Sequence, residues 1–326
     1  MATRAPDTSG GERQRGVTLV ELLVAAAIAL AVVLAATAAF LGSKRLFTAD
    51  AEAQAVEESL RFAAFVVKSI VRQAGYADYA PDHPGPDGVA IIGSRANLPA
   101  SADDLSALDI VGASNTRVSS KGESYGSHDS RGVNGSDSLR VRFFGRSRAG
   151  GDGTEADGTM VDCMGFAQPG PAADKPASED RAWSFFYVAE AADKEPELYC
   201  KYRGERGGPF SAQPLARGIE VFKIVYGHDA DGDGVPERWL DAVQIEAMAA
   251  SGAKVNDAWR KVVALRVGMV ARSAHAIGGT PMAEDLLYPL GIDFPEVNFR
   301  PPADGRLRRV ATFTVMLRNA MKDRAS

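Results

Sequence analysis

The sequence is short of the residues that most catalytic and metal chemistry needs. It has two cysteines and four histidines in 326 residues. The histidines (His83, His128, His228 and His275) share no metal-ligand spacing, and no H-E-x-x-H occurs. His83 and His128 fall in polar stretches and read as solvated side chains. There is no G-x-S-x-G elbow, no Walker loop and no strand–G-x-G-x-x-G–helix unit, which removes the common hydrolase, nucleotide and dinucleotide readings. No internal repeat is visible. Positive charge is also scarce: 37 Lys and Arg stand against 42 Asp and Glu, for a net charge of −5. That balance argues against nucleic acid as a direct partner. Scattered acidic residues nowhere form an isolated acid/base pair, so the expectation is a non-enzyme.

What is present is a globular composition, 45% hydrophobic and 24% charged, with one long apolar run. Leu22 to Leu41 is uncharged and, as a helix of about 30 Å, spans a bilayer. Glu21 stands at its mouth, where a carboxylate costs on the order of 3 kcal/mol in hydrocarbon and marks a functional position. The polar segment 1–16 ends in Gly16 ahead of the run. A secretory signal places its small-residue cleavage site behind a shorter run. Cleavage after Gly16 discards the leader and keeps the membrane helix; an uncleaved signal anchor fits the hydropathy equally well. Arg4, Arg13 and Arg15 before the run are countered by Lys44 and Arg45 after it, so charge does not set orientation.

Beyond the run, Ala49, Ala53, Val56, Leu60, Ala63, Val67, Ile70 and Ala74 recur at helical steps, and Gly75 is a stop signal. The spacing predicts one helix from Val17 to Ala74, with Gly42 as a candidate bend. After Gly75 the period changes to that of strands: LRVRFF, WSFFYVA, ELYCKY, IEVFKIVY, KVVALRVGMVA and RVATFTVML. Long Gly- and Pro-rich stretches, 112–136 and 145–181, separate them. The expected fold is α+β: a long N-terminal helix, half membrane and half amphipathic, packed on an antiparallel sheet head. The expected segments are 1–16 leader, 17–42 transmembrane half, 43–75 amphipathic half and 76–326 head.

Two features of the head carry chemistry. In HDADGDGVPER, residues 228–238, Asp229, Asp231 and Asp233 alternate so that their carboxylates converge in a tight loop. Gly232 and Gly234 permit the bend, and the Val235 carbonyl and Glu237 complete an oxygen cage for Ca²⁺. The twelfth position is Leu240 instead of a bidentate Glu, with Asp241 one step on, and an Asp/Gly turn that binds nothing is the competing reading. Cys163 and Cys200 would close a loop as a single disulfide if the head lies outside the cytoplasm; otherwise they are two buried thiols.

The stretch Arg15-Gly16-Val17-Thr18-Leu19-Val20-Glu21 resembles the type IV prepilin motif. That resemblance implies cleavage after Gly16 by a prepilin peptidase, methylation of the new Val17 amine, and pairing of Glu21 with the amine of a neighbouring subunit during assembly. The family's usual first mature residue is Phe, and Val17 departs from it. RQAGY (72–76), DSLRVRF (137–143), VDCMG (161–165), LYCKY (198–202), GIEVFKIVYGHDADGDG (218–234), WRKVVALRVGMVARS (259–273) and VATFTVMLRN (310–319) follow the order seen in PilW-type minor pilins. The resemblance implies a subunit that primes type IV pilus assembly at or near the tip. Its partners would be other minor pilins, the major pilin, a PilY-type tip adhesin and the inner-membrane machinery. It would be a single-pass inner-membrane protein with a periplasmic head before assembly, then part of the pilus. A J-type pseudopilin of a type II secretion system shares the plan. A signal-anchored periplasmic enzyme or calcium-dependent binding module is the alternative of another class.

Overall fold

A computed structural model describes residues 16–76, 108–148, 155–171, 180–204, 208–249, 255–277 and 286–319. His83, within 77–107, and the leader before Gly16 lie outside the described residues. The chain divides into two compact units, Met1–Asp50 and Ala51–Ser326.

Helix α1 runs Leu19–Gln73, through Gly42 without a break. In the first unit its apolar side chains are exposed, Leu19, Leu23, Val33 and Phe40 among them. By length and composition this helix can cross a membrane. In the second unit Val56, Leu60, Ala63, Val67, Ile70, Val71 and Ala74 are buried, the stripe that the spacing predicts. Each fully buried Leu, Ile or Val there contributes about 1.5–3 kcal/mol. Gly75 ends the helix with φ of +67°, a conformation that strains any side chain. Its N–H donates to the Arg142 carbonyl, and Asn319 Nδ2 donates to the Ala74 carbonyl. The Gln73 side chain pairs with both backbone groups of Val161.

The head has two antiparallel sheets. The first has the order β1-β2-β3-β4-β5, from Ile110–Ala113, Ser138–Phe144, Arg181–Glu190, Pro196–Tyr202 and Ser211–Arg217. The second is β7-β6-β8-β9, from β6 (Ile219–His228), β7 (Arg238–Leu240), β8 (Val262–Ala276) and β9 (Arg306–Met316). Two short helices, α2 (Ala242–Ala249) and α3 (Val255–Arg260), lie between β7 and β8. Leu139, Val141, Phe186, Leu198 and Cys200 of the first sheet join Phe222, Ile224, Leu265, Val267 and Met269 of the second in one core with the buried stripe of α1.

The first sheet is buried on its other face as well. Arg140, Arg142 and Lys201 are almost fully buried there. The Arg142 guanidinium lies 3.5 Å from the Trp183 ring centroid, and Lys201 Nζ lies 4.2 Å from that of Phe185. Lys201 Nζ donates to the carbonyls of Ser119 and Ser124, so the stretch after β1 covers this face. Burial pulls the Lys201 ammonium down to about 8. Asp137 ties the two sheets together: its carboxylate accepts from the Asn115 and Ile224 N–H groups and from Lys223 Nζ. At the other end Glu195, in the β3–β4 turn, takes Arg272 and Arg306 of the second sheet.

Candidate functional site

Three features expected from the sequence lie among the described residues, and each is built locally. The first is the N-terminus of α1. Thr18 caps the helix, and its backbone N–H and hydroxyl both donate to Glu21 Oε2, at 2.9 and 3.0 Å. The Glu21 N–H returns to Thr18 Oγ1 at 3.3 Å. This is a reciprocal capping box, which satisfies helix donors that would otherwise have no partner. Around it Val17, Leu19, Val20, Leu22 and Leu23 are all more than half exposed. The carboxylate therefore sits in an apolar surface and, among the described residues, bonds only to its own cap. Gly16 precedes the helix, and a Cβ built there meets nothing within 4 Å. Thr18 is a partner that charge and hydropathy do not single out, although the T-x-x-E spacing is a capping-box signature.

The second is the loop 229–237 between β6 and β7. Asp229 is buried, and its two oxygens accept from the Gly232 and Gly234 N–H groups at 2.5 and 2.8 Å. Asp231 Oδ1 accepts from the Asp233 N–H, Asp233 Oδ1 from that of Val235, and Glu237 Oε2 from that of Ala230. Gly232 and Gly234 have φ of +86° and +88°, so the bend needs glycine. Lys261, just before β8, holds the loop, with its carbonyl on the Asp229 N–H and its Nζ on the Ala230 carbonyl. One oxygen from each of Asp229, Asp231, Asp233 and Glu237 lies within 4.8 Å of the others. The donor set is all hard oxygen, and a glycine stands at the sixth position of the loop, as a calcium loop requires. Leu240 pairs with Tyr226 in β7, and Asp241 caps α2 by a reciprocal pair with Gln244. Neither completes the loop. Val235 is exposed at its tip.

The third is the disulfide. Cys163 and Cys200 are bonded, with Cα atoms 5.9 Å apart and no free cysteine in the chain. Cys200 is on β4 in the core; Cys163 sits in a short loop that Asp162 organises. The Asp162 carboxylate accepts from the N–H groups of Met164 and Phe166 and from Gln168 Nε2. Burial outweighs these donors and pushes its carboxyl up to about 6.

His128 is not the solvated loop residue that its polar surroundings in the sequence suggest. Its Nδ1 accepts from the Ser114 N–H, and its Nε2 lies 3.1 Å from Glu246 on α2. An eight-residue helix such as α2 gives no periodic signal, so this partner is invisible in the sequence alone. His275 pairs with Glu52 of α1 and lowers its carboxyl through that hydrogen bond. His228 is buried beside the acidic loop, and burial pulls its imidazole down.

Comparison with known proteins agrees with this geometry at both ends of the chain. Residues 12–37 match the prokaryotic N-terminal methylation motif, and residues 185–319 match the type IV pilus-assembly protein W family, PilW. No curated protein matches. Among solved structures, a type IV-like pilin from Thermus thermophilus is similar over 82% of this chain and 97% of its own, at 14% identity and a TM-score of 0.41. The described part of the motif, 16–37, leads into the exposed apolar helix, and the PilW match takes in most of β3, then β4 and β5 of the first sheet and all of the second. The chain thus joins an N-terminal methylation motif, at the start of a helix long and apolar enough to cross a membrane, to a C-terminal stretch similar to the PilW family.

Proposed function

We propose that this protein is a minor pilin that primes type IV pilus assembly and sits at or near the pilus tip. The observation that carries the reading is Glu21, a carboxylate held by its own helix cap on an exposed apolar surface. A charge in such a place is tolerated when a partner charge satisfies it on assembly. The Val17 amine freed by cleavage after Gly16 on a neighbouring subunit has the right charge and the right place on the helix. The partners in this reading are the prepilin peptidase, the major and other minor pilins, a PilY-type tip protein and the inner-membrane assembly machine. The head acts as a structural module, with no catalytic step. Within it the loop 229–237 binds Ca²⁺ through Asp229, Asp231, Asp233, Glu237 and the Val235 carbonyl. That ion would supply only structural neutralisation, offsetting the repulsion among four crowded carboxylates. The test is intact-mass analysis of the subunit recovered from sheared fibres, with deletion strains scored for fibre number. Fibres of normal number and length without this chain would overturn the priming role.

A further inference from the structure

The four edges of the two sheets are not alike. In the first sheet β1 is four residues long, and β5 carries Pro214 and a bulge opposite Leu198 and Tyr199. In the second, β7 is three residues long. Short strands, proline and bulges are the usual protection of an exposed edge. The stretch of β9 from Val310 onward has none of these. From Val310 to Leu317 the chain reads VATFTVML, without charge, proline or glycine.

Its register shows which backbone groups are free. The Leu317 N–H donates to the Val263 carbonyl, and the Ala264↔Met316 register places these two residues opposite each other. In an antiparallel pair bonded and non-bonded positions alternate. Residues 311, 313, 315 and 317 therefore face β8, while the N–H and C=O groups of Val310, Thr312, Thr314 and Met316 point away from it. These four residues are exposed, and among the described residues no strand lies beyond β9. The odd-numbered side chains are anchored: Phe313 packs on the core under Lys68 of α1, and Val315 is buried. The edge is thus a rigid, uncharged row of outward donors and acceptors.

Charge at its two ends indicates what it would take. Arg309 and Arg318 are exposed. Arg308 is buried and already held by Glu220 and Asp304. Pairing with a second copy brings no carboxylate to either end. An antiparallel copy centred on Phe313 sets Arg309 opposite Leu317 and Arg318 opposite the already neutralised Arg308, and a parallel in-register copy sets Arg309 beside Arg309 and Arg318 beside Arg318. We propose that the β9 edge accepts an extended segment of a different protein chain, added as a further strand of the second sheet. That segment has an uncharged, β-branched middle and carboxylates at its ends.

The probe is a fluorescent peptide with a seven-residue alternating Thr-Val middle between pairs of Asp. It is titrated into the full mature chain in detergent micelles and followed by anisotropy and amide exchange. The expected result is saturable binding, with protection gained at 310, 312, 314 and 316. A peptide with Lys pairs should bind about tenfold more weakly. Thr314→Pro removes one outward N–H and leaves the β8 ladder intact. It should abolish binding with a melting temperature within about 2 °C of wild type. The double charge reversal Arg309→Glu/Arg318→Glu should invert the preference between the peptides. No binding at millimolar peptide, equal binding of both peptides, or protection elsewhere in the head would overturn the proposal.

Discussion

Glu21 is a helix cap in this structure and, on the proposed reading, also an assembly charge, and conservative substitutions pull the two apart. As a cap, it takes the Thr18 N–H and hydroxyl, and its own N–H donates back to that hydroxyl. A capping residue is worth about 1 kcal/mol to its helix. As a charge, it opposes membrane insertion by up to about 3 kcal/mol, less at the mouth of the helix than at its centre. Glu21→Ala loses the cap and the charge together. Removing the charge helps insertion more than removing the cap harms the helix, so the variant should reach the membrane at least as well as wild type. Glutamine serves a capping box as glutamate does. Glu21→Gln should therefore keep the helix start and insert fully, and lose only the ionic contact with a neighbour's amine. Leaving one partner of an apolar ion pair alone costs about 3–5 kcal/mol, which corresponds to a loss of more than about 100-fold in subunit uptake. The assay is the ratio of subunit in sheared fibres to subunit in the membrane fraction, by quantitative immunoblot. Thr18→Val, which keeps the charge and removes the hydroxyl, should lie between Glu21→Gln and wild type. If Glu21→Gln enters fibres at the wild-type level, the carboxylate is only a cap and the assembly role fails.

Other expectations concern the head. Reducing the Cys163–Cys200 bond, which spans a sequence separation of 37 residues, should cost about 4 kcal/mol through the unfolded chain. For a head of this size that is a fall of roughly 8 °C in calorimetric melting, and an unchanged melting temperature after complete reduction would contradict it. Calcium at a hundredfold excess over its dissociation constant should stabilise the head by about 2.7 kcal/mol. Mg²⁺ should do so poorly, and Asp231→Ala/Asp233→Ala should abolish the response; absence of both heat and a melting shift at millimolar Ca²⁺ would leave only a turn. The Asp162 carboxyl is raised to about 6 in the folded head from an ordinary value near 3.8. A raised acid favours the folded state below its unfolded value, so this contribution is lost as pH rises from about 4 to about 6. The loss is of order 2–3 kcal/mol. Asp162→Asn removes the titrating group and should flatten that part of the stability–pH curve; an identical slope in the variant would refute the assignment.

The long elements were legible because each carries a period that its neighbours do not. The α1 stripe from Val56 to Ala74 is buried as spaced, and all six apolar runs are strands within a few residues of their expected ends. Strand β5 was not legible, because SAQPLAR has neither alternation nor β-branched residues and pairs only through the register that β4 imposes. Helices α2 and α3 are too short for a periodic signal. The arginines that alternate along LRVRFF, Arg140 and Arg142, are buried, which their charge alone does not suggest. Tertiary contacts hold this face, since the Trp183 and Phe185 rings take Arg140, Arg142 and Lys201 and the stretch after β1 covers them. At the candidate sites, the charged residues are conspicuous in the sequence and their local partners are not. Glu21 stands out by charge alone, while its dependence on Thr18 and the withdrawal of Asp241 into the α2 cap emerge only from hydrogen bonds.

On the proposed reading, processing at Gly16 underlies every later step, because cleavage there would free a charged amine at Val17 for Glu21 of a neighbour. Among the described residues, a Cβ at Gly16 meets nothing within 4 Å. Intact-mass analysis and N-terminal sequencing of the subunit recovered from membranes and fibres read the outcome directly. A chain beginning at Val17, with a methyl group on its amine, is the expected result, and Gly16→Phe should leave the full-length precursor in the membrane. Residues 1–16 still attached to the subunit in assembled fibres would contradict it.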